Sequence, residues 1–280
     1  MKKRYRILTV ILLCLLMLAM GCSQQNNEEG NDTEGTDSQE KKTVRLIADP
    51  PAVAQILKDN KKIFEDKGYE LEMIDITDPI AMNQAVDEGS ADANFFQHEI
   101  YMQQFNENNN GHMVVCGDPL YAQLVGIYSE KIDDLSELAE GATVAIQNDD
   151  TNRDRALKVL EDAGLIKLDP DVASATTLDI IENPKGLQFS EMVGNNLVEA
   201  LKDVDIAVIP GYVVAKSGGD PQNNLGTYDR DDKDKYAVLM AVKEGNENEQ
   251  WAKDLHDFLE DPAVKEQIEE ELQGSWYPLD

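Results

Sequence analysis

The feature that most constrains the fold is an alternation of strand-like and helix-like patterns that starts at Thr43. Alternating polarity or a short apolar run predicts strands at residues 43–48, 69–76, 91–96, 142–148, 204–211 and 236–243. Apolar residues three and four positions apart predict helices at residues 52–68, 79–89, 98–108 and 151–164, and a pair broken near Pro262 within 250–274. Such alternation predicts an α/β fold with a mostly parallel sheet covered by helices, in one large or two modest domains.

The segments that follow the predicted strands are the places to look for a binding site. In open α/β sheets, ligands bind outside the carboxyl ends of the strands. Five segments meet that condition, with the sequences DPPA, TDPI, FFQH, QNDDTN and PGY. Two of them, FFQH and QNDDTN, carry side chains that suit ligand binding.

Ring-bearing side chains are concentrated in the stretch ADANFFQHEIY, although aromatic residues make up only 6% of the chain. They are Phe95, Phe96, His98 and Tyr101. At the carboxyl end of a strand, such a wall with Gln97 and His98 beside it can hold an apolar ligand group and orient its polar end. The alternative is structural: one Phe fills the core and His98 caps the helix that follows. For a single Phe we favour the core, whereas the cluster of four favours a pocket.

The stretch QNDDTNRDRAL places a turn and a helix start after a strand. Thr151 or Asn152 can cap this helix, whose free backbone N–H groups and partial positive charge favour an anion. Arg155 follows one turn later, and its planar guanidinium can bind a carboxylate through two parallel hydrogen bonds. The stretch therefore predicts a ligand that carries a carboxylate. The alternative is a surface Arg155 paired with a neighbouring aspartate, which contributes less than about 1 kcal/mol.

The N-terminus predicts export and attachment to a membrane. A basic start, MKKRYR, precedes an uncharged run at residues 7–20, which suits a signal peptide and is too short for a transmembrane helix. The run ends in LAMGC, which resembles a lipobox, so we expect residues 1–21 to be a signal peptide and Cys22 to carry a diacylglyceryl lipid. The alternative is an ordinary signal peptide with an incidental cysteine.

Residues 22–42 are expected to form the lipidated cysteine and a disordered tether, because the segment after Cys22 has no aliphatic or aromatic residue to bury. The chain is then anchored at the extracytoplasmic face of the cell membrane without spanning it. Its net charge of −30 excludes nucleic acid as a partner.

The sequence shows no catalytic or metal-binding motif. It has no G-x-S-x-G, H-E-x-x-H, C-x-x-C or P-loop. Its three histidines, His98, His112 and His256, lack cysteines at ligand spacing, so no metal and no cofactor is predicted. Cys116 is expected to be a small buried residue without a disulfide partner.

Four stretches together resemble one family, the methionine-binding (MetQ/NlpA) lipoproteins of ABC importers. They are ADANFFQHEIYMQQFN, GIYSEKIDDLSEL, GATVAIQNDDTNRDRALKVLEDAGLIKL and DIIENPKGL, and the similarity covers the chain from about Thr43 to its end. The resemblance implies a type II periplasmic-binding-protein fold of two α/β lobes around a cleft. Lobe 1 would comprise residues 43–128 plus 237–280, and lobe 2 residues 129–236. It also implies docking on an ABC permease of the membrane.

The resemblance assigns roles to residues as well. In family members an aromatic cluster clasps the methionine side chain and the arginine of the RAL motif takes its carboxylate. The matching positions here are Phe95, Phe96, His98, Tyr101, Asn152 and Arg155.

This chain departs from the family pattern at five positions, which are Pro79, Tyr121, Gln123, Leu124 and Pro210. Pro210 stands where many members have an asparagine that contacts the amino-acid part of the ligand. Such losses point to a changed ligand or a rearranged pocket, with Tyr121 and Tyr212 as replacement contacts.

We therefore expect a lipid-anchored substrate-binding protein of an ABC importer, not an enzyme. The ligand is methionine or a related amino acid, derivative or short peptide, which is bound by closure of the lobes. The alternative is a surface lipoprotein of the same fold, in a scaffold or adhesion role, with another small ligand or a decayed pocket. An enzyme would need a nucleophile or an acid–base pair in the cleft.

Overall fold

A computed structural model describes residues 41–228, 230 and 233–279. The predicted signal peptide, the lipidated Cys22 and most of the tether lie outside the described residues. Lys41–Asp280 forms one compact unit. Within the described part of the chain, no helix has the length and apolar character needed to cross a membrane.

Strands occur at all six predicted places, and short strands add to them. In chain order, β1 to β13 are Lys42–Ala48, Tyr69–Met73, Ala93–Gln97, Met113–Val115, Tyr121–Gln123, Val125–Tyr128, Thr143–Gln147, Lys167–Leu168, Ile180–Glu182, Gln188–Met192, Ile206–Pro210, Leu239–Lys243 and Trp276–Pro278. The added strands have two to five residues, too few for a clear polarity pattern.

The helices follow the predicted order. In chain order, α1 to α9 are Pro51–Asp59, Lys62–Glu65, Pro79–Asp87, Glu99–Asn109, Asp150–Asp162, Leu197–Ala200, Gly211–Lys216, Gln250–Leu259 and Pro262–Glu271. Four 3-10 turns lie at Leu135–Glu137, Thr177–Asp179, Gly194–Asn196 and Lys233–Tyr236.

The single helix predicted at residues 52–68 is wrong, because α1 ends before α2 begins. The break falls at Asn60, whose backbone N–H and side-chain Nδ2 both donate to the carbonyl oxygen of Ile56, at 3.0 and 2.9 Å. An asparagine side chain that competes for backbone groups favours a helix end over a helix interior.

Two sheets form the body, one of five strands in the order β2-β1-β3-β12-β4 and one of four in the order β10-β7-β11-β6. The pairs β1–β2, β1–β3, β7–β10 and β7–β11 are parallel, whereas β12 runs antiparallel to both β3 and β4, and β6 forms an antiparallel edge on β11. The mostly parallel α/β fold is confirmed.

Each sheet has its own core. The first packs strand residues such as Val44 and Met240 against α8 and α9, and the second packs residues such as Ile146 and Val208 against α5. A small two-stranded sheet pairs β13, the last strand of the chain, with β5, the strand that comes directly before β6.

β6 pairs with β11 in the second sheet, although our expected lobe 1 extends to residue 128. The division into lobes remains a proposal, and we now place its first boundary at residue 124, ahead of β6.

Candidate functional site

The first face of the site is the junction of β3 and α4, residues 95–101. His98 is the residue before α4, and its Nδ1 accepts a hydrogen bond from the backbone N–H of Tyr101 at 3.1 Å. The capping role that we gave as an alternative for His98 is therefore confirmed. Capping occupies only Nδ1, and the second ring nitrogen, Nε2, faces Asn152 on α5.

The hydrogen bonds of His98 define its tautomer. Because Nδ1 accepts, the ring proton lies on Nε2, which is 3.3 Å from Oδ1 of Asn152. Asn152 Nδ2 in turn donates to Oδ1 of Asp149 at 3.0 Å. A chain of donors and acceptors thus joins the start of α4 to the start of α5.

Burial keeps His98 neutral. The side chain is 4% exposed, and this burial, followed by the positive charge of Arg155, lowers the pKa of His98 to about 3. The hydrogen bond to Asn152 opposes the shift only in part. The imidazole therefore acts as a hydrogen-bonding group, not as a cation.

The two phenylalanines have different places. Phe95 is fully buried, and its ring centroid lies 5.9 Å from both Tyr121 and Trp276. Phe96 is half-buried and meets Tyr101 edge to face at 6.4 Å. Phe95 fills the core as our alternative for a single Phe stated, whereas Phe96 and Tyr101 form the accessible wall.

Gln97 belongs to a buried amide cluster instead of facing a ligand. Its Nε2 donates to Asn83 at 2.7 Å and to Asn94 at 2.9 Å, and its Oε1 accepts from Asn83 at 2.8 Å. These bonds fix the end of β3 against α3, so the ring-bearing residues that follow are held rigidly.

The second face is the junction of β7 and α5, residues 148–155. Asp149 caps α5 by accepting the backbone N–H of Asn152 at 3.0 Å. The predicted caps Thr151 and Asn152 are wrong, since both lie inside the helix. Asp149 precedes the first turn and reaches its third N–H, the geometry that an N-cap requires. This carboxylate already occupies part of the predicted anion site at the start of α5.

Arg155 is 2% exposed, which excludes the surface alternative. Its Nη2 donates to the carbonyl oxygen of Gln123 at 2.8 Å, and its guanidinium lies 4.6 Å from the ring centre of Tyr236 and 5.3 Å from that of Tyr228. The neighbouring Arg153 makes the surface-type pairs instead, with Asp150 and Glu191. A guanidinium held by a carbonyl oxygen and over two tyrosine rings has little freedom left to lose on binding.

Tyr212 lies between the two faces. Burial raises its pKa, and the negative charges of Asp49 and Asp149 raise it further. Its ring meets Trp276 edge to face at 6.2 Å. Gly211 permits this close packing, because a Cβ at that position would lie 2.9 Å from Cβ of Ser275.

The departures from the family pattern fall around these faces. Tyr121 and Pro210 are buried, and Pro79 is the first residue of α3 behind its cap Asp78. The Tyr121 hydroxyl has no hydrogen-bond partner among the residues that the structure describes. Gln123 contributes its backbone carbonyl to Arg155, a contact that any residue can supply.

Sequence reasoning missed three aromatic residues near these faces, Trp276, Tyr228 and Tyr236. Trp276 reaches Phe95 and Tyr121 because β13 pairs with β5. Tyr236 stacks edge to face on His98 at 5.1 Å. These residues lie far along the chain from residues 95–101, and the sequence offers no pattern that joins them to that segment beyond the low aromatic content of the chain.

The two faces are in direct contact at the rim. Nε2 of Gln104 on α4 donates to Oδ2 of Asp150 on α5 at 2.9 Å. Beside this bond lies a pocket of about 240 Å³ whose lining includes Ile80, Tyr101 and Asp149. Of the predicted ligand contacts, this pocket includes Tyr101 alone; the others, Phe95, Phe96, His98, Tyr121, Asn152, Arg155 and Tyr212, do not line it. The two junctions meet beside it, with the ring-bearing residues on the first and the buried guanidinium of Arg155 on the second.

A family model described as NlpA lipoprotein matches residues 47–279 of the chain. The methionine-binding lipoprotein MetQ of Bacillus subtilis is 29% identical over 283 residues, which span 100% of this chain and 99% of that protein.

Two solved structures resemble this one closely. A nutrient-binding protein from Burkholderia cenocepacia, bound to methionine, has a TM-score of 0.78 and 32% identity, with 85% of this chain and 100% of that one covered. An ABC transporter periplasmic substrate-binding protein from Coxiella burnetii has a TM-score of 0.78 and 32% identity, with 84% and 100% covered. These matches confirm the predicted two-lobed α/β fold of a substrate-binding protein.

Proposed function

Because this chain belongs to the NlpA lipoprotein family, a family of substrate-binding proteins and not of enzymes, we propose that it binds methionine or a related amino acid, derivative or short peptide. The observation that carries the proposal is the meeting of the two faces. His98 Nε2 lies 3.3 Å from Asn152 Oδ1, so the ring-bearing β3–α4 junction lies next to the start of α5, the helix that carries the buried Arg155.

Arg155 is the proposed partner of the ligand carboxylate. Its guanidinium is buried and held by the Gln123 carbonyl and two tyrosine rings, so its position is fixed before the ligand arrives. Asn152 is next to it on α5 and offers an amide to the same ligand end. A preorganised arginine binds a carboxylate without first losing much side-chain entropy.

The aromatic residues are the proposed contacts of the ligand side chain. Phe96 and Tyr101 form the accessible wall, and His98 lies at its edge. Phe95 and Tyr121 form the buried base, with the Tyr121 hydroxyl as a hydrogen-bond donor to the ligand, and Tyr212 closes the far side. Sulfur and aromatic rings attract each other, which suits a thioether side chain.

Binding by closure follows from the placement of the contacts. Residues 95–101 join β3 of the first sheet to α4, and residues 149–155 form the start of α5, which packs on the second sheet. One ligand that touches both segments therefore favours the closed form. We further propose that the loaded protein docks on an ABC permease and that a lipid on Cys22 keeps it at the outer face of the cell membrane.

Mass spectrometry of the small molecules released from natively purified protein, followed by calorimetry, tests the proposal. We expect a released amino acid, derivative or short peptide, and binding of that compound at a single site. The competing role as a scaffold lipoprotein with a decayed pocket predicts that no amino acid or dipeptide is released or bound, and that result would overturn our proposal.

A further inference from the structure

Three helices near the site, α3, α4 and α5, each begin with a side-chain N-cap. Asp78 caps α3, His98 caps α4 and Asp149 caps α5, each by accepting a backbone N–H three residues ahead. Asp49 holds the corresponding place between β1 and α1 and does not follow this pattern. The residue before α1 is Pro50, and no side chain caps this helix.

The local sequence explains why Asp49 makes no cap. The next two residues, Pro50 and Pro51, have no backbone N–H to donate. Among the described residues the Asp49 carboxylate has no hydrogen-bond donor and no ion pair, and Lys216 acts on it only as a more distant charge. The side chain is nevertheless half-buried, and this burial disfavours the ionised carboxylate, which the charge of Lys216 favours.

Asp49 also lies at the site. Its backbone N–H donates to the carbonyl oxygen of Phe95 at 3.3 Å, so it sits beside the end of β3. Its charge acts on the phenol of Tyr212, the ring between the two faces. Burial raises the pKa of Asp49, and the charge of Lys216 opposes that rise. The Asp49 carboxylate therefore lies beside the strand end that carries the aromatic residues and near Tyr212.

We propose that Asp49 binds the ammonium group of the ligand, in place of the side-chain amide that Pro210 cannot supply. The inference rests on the proposed function and makes it more specific. A carboxylate without a donor in a half-buried cleft suits a primary ammonium, which brings both charge and hydrogen-bond donors. With Arg155 for the carboxylate, the cleft then recognises both charged ends of an amino acid or peptide, and a carboxylic acid without an amine binds poorly.

Calorimetry on the wild type, Asp49→Asn and the control Asp75→Asn tests this inference with two probes, L-methionine and 3-(methylthio)propanoic acid, which lacks the amine. Asp75 is an exposed acid just after the neighbouring strand β2, so its substitution makes the same change in net charge near the end of β1 but keeps the Asp49 carboxylate. We expect Asp49→Asn to weaken methionine binding at least about tenfold and to leave the acid within about twofold. Asp75→Asn should change neither affinity.

Three results would overturn the inference: unchanged methionine affinity in Asp49→Asn, an equal loss for both probes, or a wild type that binds the acid as tightly as methionine. In all three cases the wild type still binds a probe, so the proposed function stands. A wild type that binds neither probe nor any other amino acid or dipeptide contradicts the proposed function itself. Glycyl-L-methionine as a further probe shows whether the ammonium belongs to an amino acid or to the start of a peptide.

Discussion

Each of the two faces begins a helix with a side-chain N-cap, but the cap is neutral on one face and negatively charged on the other. At the β3–α4 junction a neutral imidazole, His98, caps the helix, whereas at the β7–α5 junction a carboxylate, Asp149, does so. The first face adds rings, and the second adds a buried guanidinium, Arg155. The comparison shows that the first face can supply shape and apolar contact and the second can supply charge.

Within the first face, the buried Phe95 should contribute mainly to stability and the half-buried Phe96 mainly to ligand binding. Phe95→Ala removes a fully buried ring from a cluster with Tyr121 and Trp276 and should cost about 3–5 kcal/mol of unfolding free energy. Phe96→Ala, the matched control, removes a half-buried ring and should cost less stability but more ligand affinity. Urea unfolding and calorimetry of both variants make the comparison. Equal losses of stability would show that the two phenylalanines do not divide these roles.

The charged face should matter most for affinity. Arg155→Ala should weaken binding by about 3 kcal/mol, roughly 100-fold, because the ligand carboxylate loses its buried partner. Arg153→Ala is the control, since Arg153 is on the same helix and pairs with Asp150 and Glu191. Calorimetry measures the ligand affinity of the two arginine variants, and circular dichroism checks that both are folded. An Arg155→Ala variant that is folded and binds normally would remove the carboxylate partner from the account.

The neutral face should respond to acid. Burial lowers the pKa of His98 to about 3, below its value in the unfolded chain, so the unfolded state takes up the proton first. The contribution of neutral His98 is complete above about pH 6.5 and is lost as the pH falls toward 3, with about 2 kcal/mol gone at pH 5. His98→Asn, which can still cap α4, should remove this dependence. Unfolding curves with the same acid slope in both proteins would contradict the assignment.

The contact between the faces at the rim should have the smallest effect. Gln104→Ala removes the hydrogen bond to Asp150 and should weaken ligand binding by about 1 kcal/mol, because the closed form loses one contact. Gln103→Ala, which removes only a bond to Glu99 within α4, should leave the affinity unchanged. If calorimetry gives the same affinity for both variants, this bond does not stabilise the closed form.

The sequence predicted what local chemistry controls. The strands and helices of the body, the start of α4 at His98 and the burial of Cys116 all depend on neighbours close in the chain. The cap of α5 was misplaced, because Asp149, Thr151 and Asn152 are all good caps and only the backbone decides among them.

The rest depends on contacts between distant parts of the chain. Trp276 reaches Phe95 through the pairing of β13 with β5, and the amides of Asn83 and Gln97 meet through the packing of α3 on β3. The sequence marks Asp49 only as part of the DPPA segment after a predicted strand, and the structure shows that, unlike Asp78, His98 and Asp149, it caps no helix. None of these contacts leaves a pattern in a single sequence.

Calorimetry of the wild type with three matched ligands tests the central claim most directly. L-Methionine carries both ends, L-norleucine replaces only its sulfur, and 3-(methylthio)propylamine lacks the carboxylate. We predict that the affinity for norleucine is within about tenfold of that for methionine, since the aromatic face recognises the size and shape of the ligand side chain. The amine should bind at least about 100-fold more weakly, since Arg155 loses its partner. An amine that binds as tightly as methionine would contradict the division of roles between the two faces.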